Sequence, residues 1–163
     1  MNDRQTRFVT ILIIVVIVCI GLWAAYKQVK EHYAQDDPKL QELQKIFTDF
    51  FNSKSDWEPP LDMLNKRHVM DEVKLYRGEK SYTINKEKIF LCMKDRKGQY
   101  YSNNILIYVL GHEIAHSLCD EVGHTEKFHI IFEALLEQLT NAEIYNPSIP
   151  VDQHYCEKGD PEM

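Results

Sequence analysis

Nineteen residues from Phe8 to Tyr26 carry no charge, and most of them are Ile, Val or Leu. A run of that kind leaves few structures open to the chain. As an α-helix rising about 1.5 Å per residue it spans roughly 28 Å, close to the hydrocarbon thickness of a bilayer. A small soluble domain can hardly cover such a helix on every face. A cleaved signal peptide is the rival reading. Its apolar core is usually about 7–15 residues long and ends at a small-x-small site. Ala25 meets that rule, but bulky Trp23 stands where a small residue is wanted. The run therefore predicts an uncleaved single-span anchor over residues 8–26, with Trp23 and Tyr26 in an aromatic interface belt. Arg4 and Arg7 on one side balance Lys27 and Lys30 on the other, so the positive-inside rule leaves the orientation open.

The chain divides by composition into a tail and anchor (1–26), a polar stretch read as a linker or helical extension (27–38) and a folded domain (39–163). Taking away Asp3, Arg4 and Arg7 leaves 17 basic and 24 acidic residues from Lys27 onward, a net charge of −7. That balance argues against a nucleic-acid partner, because phosphate backbones are held by clustered Lys and Arg. Of the cysteines, Cys19 lies in the anchor, and Cys92, Cys119 and Cys156 lie beyond it. Three cysteines without a CxxC pair exclude a dense disulfide framework and a cysteine zinc knuckle. One disulfide stays open for a domain facing an oxidising compartment.

Apolar residues Leu40, Leu43, Ile46, Phe47, Phe50 and Phe51 recur at helical spacing behind Pro38. A short helix through Leu61 and Leu64 is expected after Pro59-Pro60. Val69–Arg77, Ser81–Ile84 and Lys88–Met93 read as strands, with Gly78 and Asn85-Lys86-Glu87 as turns. Ser102-Asn103-Asn104 offers helix caps, and Ile105–Leu118 reads as a largely apolar helix ending before Gly123. A last helix starts near Thr125 and runs through Phe128, Ile131, Phe132, Leu135, Leu136 and Leu139.

The Ile105–Leu118 helix contains His112-Glu113-Ile114-Ala115-His116. Imidazoles four residues apart leave one helix face a turn apart, so both can reach one ion at about 2.0–2.1 Å. Glu113 points about 100° around the helix, where it can act as a base without becoming a ligand. Two histidines and a glutamate in an otherwise apolar helix are costly to bury unless something pairs with them, and a metal does so. A catalytic zinc needs a third protein ligand and an open position. His124, across the turn at Gly123, is the leading candidate, and Glu133 and Glu137 on the next helix are its rivals. Cys119 reads as a small buried side chain, Asp120 as a partner for a ligand imidazole, and His129 as a half-exposed helix residue. His32, His68 and His154 receive no role.

The stretch HEIAHSLCDEVGHTEKF resembles the metal site of the WLM and SprT-like metallopeptidases, and the segments SYTINKEKIFLCMKD, YYSNNILIYVLGHEIAHSL, IYNPSIP and HYC are similar to small WLM-like proteins of large DNA viruses. The resemblance covers roughly Ser81 to Cys156. It implies His112, His116 and His124 as ligands of Zn2+, Glu113 as catalytic base, and His124 paired with Phe128 on the following helix. It also implies an α+β, zincin-like fold in which a small sheet lies beside the HExxH helix. Thr125 departs from the pattern, since an acidic residue often follows the third histidine there. Tyr145 or Tyr155 is a candidate for steadying the oxyanion in such a site.

The expectation is thus a membrane-anchored zinc metalloendopeptidase that hydrolyses peptide bonds in a protein or peptide substrate, using a zinc-activated water with Glu113 as general base. Two other classes compete: a non-catalytic anchored protein whose zinc is structural, and a DNA-associated protease of the crosslink-repair type. The intact Glu113 weighs against the first, the acidic domain and the anchor against the second.

Overall fold

A computed structural model describes residues 3–151 and 155–156. His154 and the side chain of His32 lie outside what is described. The chain forms two compact units, Met1–Asp36 and Asp37–Met163.

The first unit is one helix, α1 (Asp3–Gln35). Its segment Phe8–Lys27 is long and apolar enough to cross a membrane and is fully exposed, properties that a signal sequence near an N-terminus shares. The Lys27 ammonium lies 5.6 Å from the Trp23 ring centroid. An aromatic ring and a lysine at the end of an apolar helix suit a membrane interface. The stretch read as a linker is helical as far as Gln35, so it extends α1.

The second unit is α+β. Its described residues form α2 (Pro38–Asn52), a 3-10 turn (Asp62–Asn65), α3 (Val69–Glu72), β1 (Lys74–Arg77), β2 (Tyr82–Ile84), β3 (Lys88–Leu91), α4 (Asn103–Leu118) and α5 (Glu126–Asn141). Asp37 starts the domain. It caps α2 by accepting from the Lys39 amide at 3.0 Å, and the Tyr100 hydroxyl donates to it at 3.0 Å. Pro38 sits in the first turn, where its missing N–H costs nothing.

The sheet runs in the order β1-β3-β2. β1 is parallel to β3, and β2 is antiparallel to it, with Thr83 opposite Ile89. Asn85 and Lys86 both have positive φ, at 51° and 61°, as a tight turn between twisted strands requires. The expectation of a strand from Val69 to Arg77 is corrected here: Val69–Glu72 is a helical turn and the strand begins at Lys74. Val69, Met70 and Val73 are all buried, and the Gln44 amide holds the Met70 carbonyl at 2.9 Å. Those apolar positions suit one helical face as well as a strand, and packing against α2 decides between them.

α4 is the centre of the domain. It packs against α5 and against β2 and β3, while α2 packs on β1. Ser102 caps it by accepting from the Ile105 amide. Ten of its residues are buried, Leu106, Leu110, Ile114 and Ala115 completely so. A helix buried on nearly every side holds its few polar groups in fixed positions. Every polar group on α4 therefore has to be accounted for by what it faces.

Candidate metal centre

His112 and His116 lie one turn apart on α4, and their rings meet Phe128 near the start of α5. His124 comes from the seven-residue connection between α4 and α5, Cys119 to Thr125, directly before the cap of α5. Gly123 has φ of 88°, the left-handed conformation that lets the chain turn back over the helix. Thr125 occupies the N-cap, and its side chain accepts from the Phe128 amide at 3.3 Å. The departure at Thr125 thus falls on a position where a hydroxyl serves directly.

The three rings converge. Nε2 of His124 is 3.0 Å from Nε2 of His112 and 3.2 Å from that of His116. Two imidazoles held about 2.1 Å from one tetrahedral ion stand roughly 3.4 Å apart, so these spacings fit shared ligation. Hydrogen bonding alone explains them poorly. His124 Nε2 offers either one proton or one lone pair, and it faces two ring nitrogens. Among the described residues, these three histidines are the group of metal-type side chains able to share one ion. Glu133 and Glu137, the rival third ligands, occupy exposed positions on α5.

Phe128 forms the floor. It is fully buried, stacks on the His116 ring at 4.2 Å and meets the His112 and His124 rings edge-on at 4.9 Å each. Phe132 adds a second wall against His112 at 5.1 Å. Burial, reinforced by the neighbouring histidines, lowers the His112 pKa to about 4, and burial also lowers that of His116. Both rings are therefore neutral at pH 7, with lone pairs free for a cation. The donor set and its geometry fit zinc.

Glu113 is 5% exposed, and burial raises its pKa above the usual carboxylate value. The Thr83 hydroxyl from β2 donates to its Oε2 at 2.7 Å, which works against that rise. Glu113 and the three histidines line a cleft of about 590 Å3 whose other walls include Tyr82, Thr83 and Lys86 on the sheet side and Val122 on the connection. That volume lies within the usual range for ligand sites, roughly 300–1,000 Å3. A smaller cavity of about 310 Å3, beside Trp57 and Arg67, shares no lining residue with it.

The remaining candidates lie elsewhere. Asp120 is exposed and pairs with Lys127 at 2.7 Å rather than with an imidazole. Tyr145 is buried beside Tyr108, with ring centroids 5.8 Å apart. The Tyr155 hydroxyl donates to the Cys92 carbonyl at 2.5 Å and lies 2.8 Å from Ser81 Oγ, and burial pushes its pKa up to about 12. Neither tyrosine lines the cleft. Cys119 is buried, and its carbonyl accepts from Lys86 Nζ. His129 stays on the exposed side of α5, its ring 6.3 Å from that of His124. Cys92 and Cys156 form a disulfide.

Fold and site together define an α+β domain carrying a three-histidine group able to hold a metal ion, preceded in the chain by an apolar helix. The chain is 46% identical over 119 residues to the uncharacterized protein 136R of Invertebrate iridescent virus 6, covering 71% of this chain and 67% of that one. It belongs to the family of that viral protein. It is also 40% identical over 98 residues to the uncharacterized protein 042R of Invertebrate iridescent virus 3, and 32% identical over 116 residues to the uncharacterized protein R325 of Acanthamoeba polyphaga mimivirus. Those matches cover 60% and 67% of this chain, and 62% and 58% of the two relatives. No family model matches the chain. No solved structure matches it either.

Proposed function

We propose that this protein is a membrane-anchored, zinc-dependent peptidase of the WLM/SprT-like, zincin kind, acting on a protein or peptide substrate. What carries the reading is the buried carboxylate of Glu113 beside three converging Nε2 atoms at the wall of an open cleft. A purely structural zinc site closes with four protein ligands and has no use for an adjacent buried base. Residues 8–26 serve as the anchor.

Bound zinc supplies a Lewis acid that polarises a peptide carbonyl and acidifies water. His112, His116 and His124 hold it as neutral imidazoles. Phe128 and Phe132 keep water from the back of the rings and fix their tilt. Glu113 Oε1 takes the proton of the attacking water and later passes it to the leaving amine. Burial suits Glu113 to that work, because a raised pKa makes the carboxylate a stronger base.

The test uses the full chain in detergent micelles with an unstructured protein such as casein as substrate. Glu113→Gln is expected to keep one zinc per chain and to lose at least about a hundredfold in cleavage rate, within the usual contribution of general-base catalysis. Undiminished cleavage by a zinc-loaded Glu113→Gln protein refutes the mechanism.

A further inference from the structure

We infer that Thr83 is a positioning residue for Glu113, fixing the carboxylate from the opposite wall of the cleft. This rests on the peptidase reading and adds to it a part that lies 30 residues away in the chain. Thr83 is the middle residue of β2, and its neighbours Tyr82 and Ile84 turn to solvent while it is half-buried. The inward position of a strand packed on a helix calls for an apolar side chain. Threonine there keeps the β-branched shape and adds one hydroxyl. That hydroxyl stands 2.7 Å from Glu113 Oε2 and 3.1 Å from the Glu113 carbonyl oxygen. It has a single proton, and the shorter, charge-assisted contact to the carboxylate takes it.

β2 is tied down on both sides of Thr83. Toward the start of the strand, the Cys92 amide donates to Ser81 Oγ at 3.0 Å, and Ser81 Oγ meets the Tyr155 hydroxyl at 2.8 Å. Beyond its end, Lys86 Nζ donates to the carbonyl of Cys119, the residue that closes α4, at 2.6 Å. Thr83 also pairs with fully buried Ile89 in the sheet. The strand is therefore held in register against the helix that carries Glu113. A hydroxyl so placed holds Oε2 and leaves Oε1 turned to the cleft. A carboxylate without it rotates freely about its last torsion, which is broad.

Thr83→Val is the direct test, because it retains shape and strand preference and deletes only the hydroxyl. In the full chain in micelles, kcat is expected to fall roughly ten- to hundredfold, as misplacement of a catalytic group does, with KM and zinc content unchanged. Thr83→Ser should restore kcat to within about threefold. Adding Thr83→Val to Glu113→Gln should cost nothing further, since the two act as one unit. An activity-free arm uses the cobalt(II)-loaded protein titrated with acetohydroxamate, whose chelate hydrogen-bonds to an adjacent carboxylate. Its affinity, read from the visible cobalt spectrum, should weaken about tenfold in Thr83→Val and recover in Thr83→Ser. If wild type cleaves and Thr83→Val cleaves equally well, the positioning role is overturned and the peptidase reading stands. If wild type takes up cobalt but cleaves nothing, the peptidase reading fails, and the acetohydroxamate titration alone decides on Thr83. Equal acetohydroxamate affinity in wild type and Thr83→Val overturns the role in either case.

Discussion

Replacing His124 by alanine probes the geometry most directly. The residue is exposed, so its truncation leaves no cavity in the core. In zinc-free protein the fold should keep its stability to within about 0.5 kcal/mol, as for other surface changes. Metal binding should suffer far more. His124 Nε2 is the atom that lies close to both other nitrogens, at 3.0 and 3.2 Å, and without it two ligands remain. Zinc peptides with four ligands bind with about 10–16 kcal/mol, so one ligand is worth roughly 3 kcal/mol, or about two orders of magnitude in Kd. The loss should also appear as stability. At free zinc a thousandfold above the wild-type Kd, binding adds about 4 kcal/mol to wild type and about 1.4 kcal/mol to a site a hundredfold weaker. Competition with a chromophoric chelator measures the first quantity, and urea unfolding with and without zinc measures the second. A His124→Ala protein that binds zinc within twofold of wild type would refute the three-histidine site and send the search to Glu133 and Glu137.

The other predictions concern the resting protein. Because the folded-state pKa of His112 is lowered from 6.5 to about 4, the unfolded chain takes up that proton first as pH falls. Above pH 6.5 neither state carries the proton, so zinc-free stability should decline through the window from about 6.5 down to 4. Urea midpoints of the apo protein should therefore drop more steeply in wild type than in His112→Gln, and equal slopes would contradict the assignment. The Cys92–Cys156 disulfide closes a separation of 64 residues. Chain entropy then assigns it about 4 kcal/mol, so Cys156→Ser should lower the urea-unfolding free energy by roughly that amount, and a loss below about 1 kcal/mol would argue against the bond.

Local signals made much of this legible in the sequence. Ser102 and Thr125 mark the starts of α4 and α5 because capping is a local bond between a side chain and a nearby amide. His112 and His116 are legible because their spacing is one helical turn. His124 was open to rivals from the residues alone, since its place depends on how the chain turns at Gly123. Val69–Glu72 reads equally as strand or helix in the sequence, because its apolar spacing suits either element and the packing partner lies in α2. Thr83 left no trace at all. Its bond to Glu113 joins residues 30 apart, and a lone Thr in a short strand looks like any strand residue. Tyr155 is the converse case. Its hydroxyl is turned toward Cys92 and Ser81 by a tail segment that has no periodicity to read. The disulfide belongs with it: three cysteines beyond the apolar helix leave the pairing undetermined until Cys156 is placed beside Cys92.

The disulfide also determines what a broken chain can do. His112, Glu113, His116, His124 and Phe128 all lie between Cys92 and Cys156, inside the covalent loop that the bond closes. The connection from Asp120 to Gly123 runs over the surface, and Val122 is 90% exposed at its tip. Exposed tips of this kind are where chains are cut. A cut there separates the residues of α4 from His124 along the backbone, yet both pieces stay joined through Cys92 and Cys156. The severed ends remain at high effective concentration, and α5 can stay packed on α4 with its histidine in place. Only when the bond is reduced as well can the fragment carrying His124 depart. The three clustered histidines thus stay on one covalently joined molecule through one accidental cut.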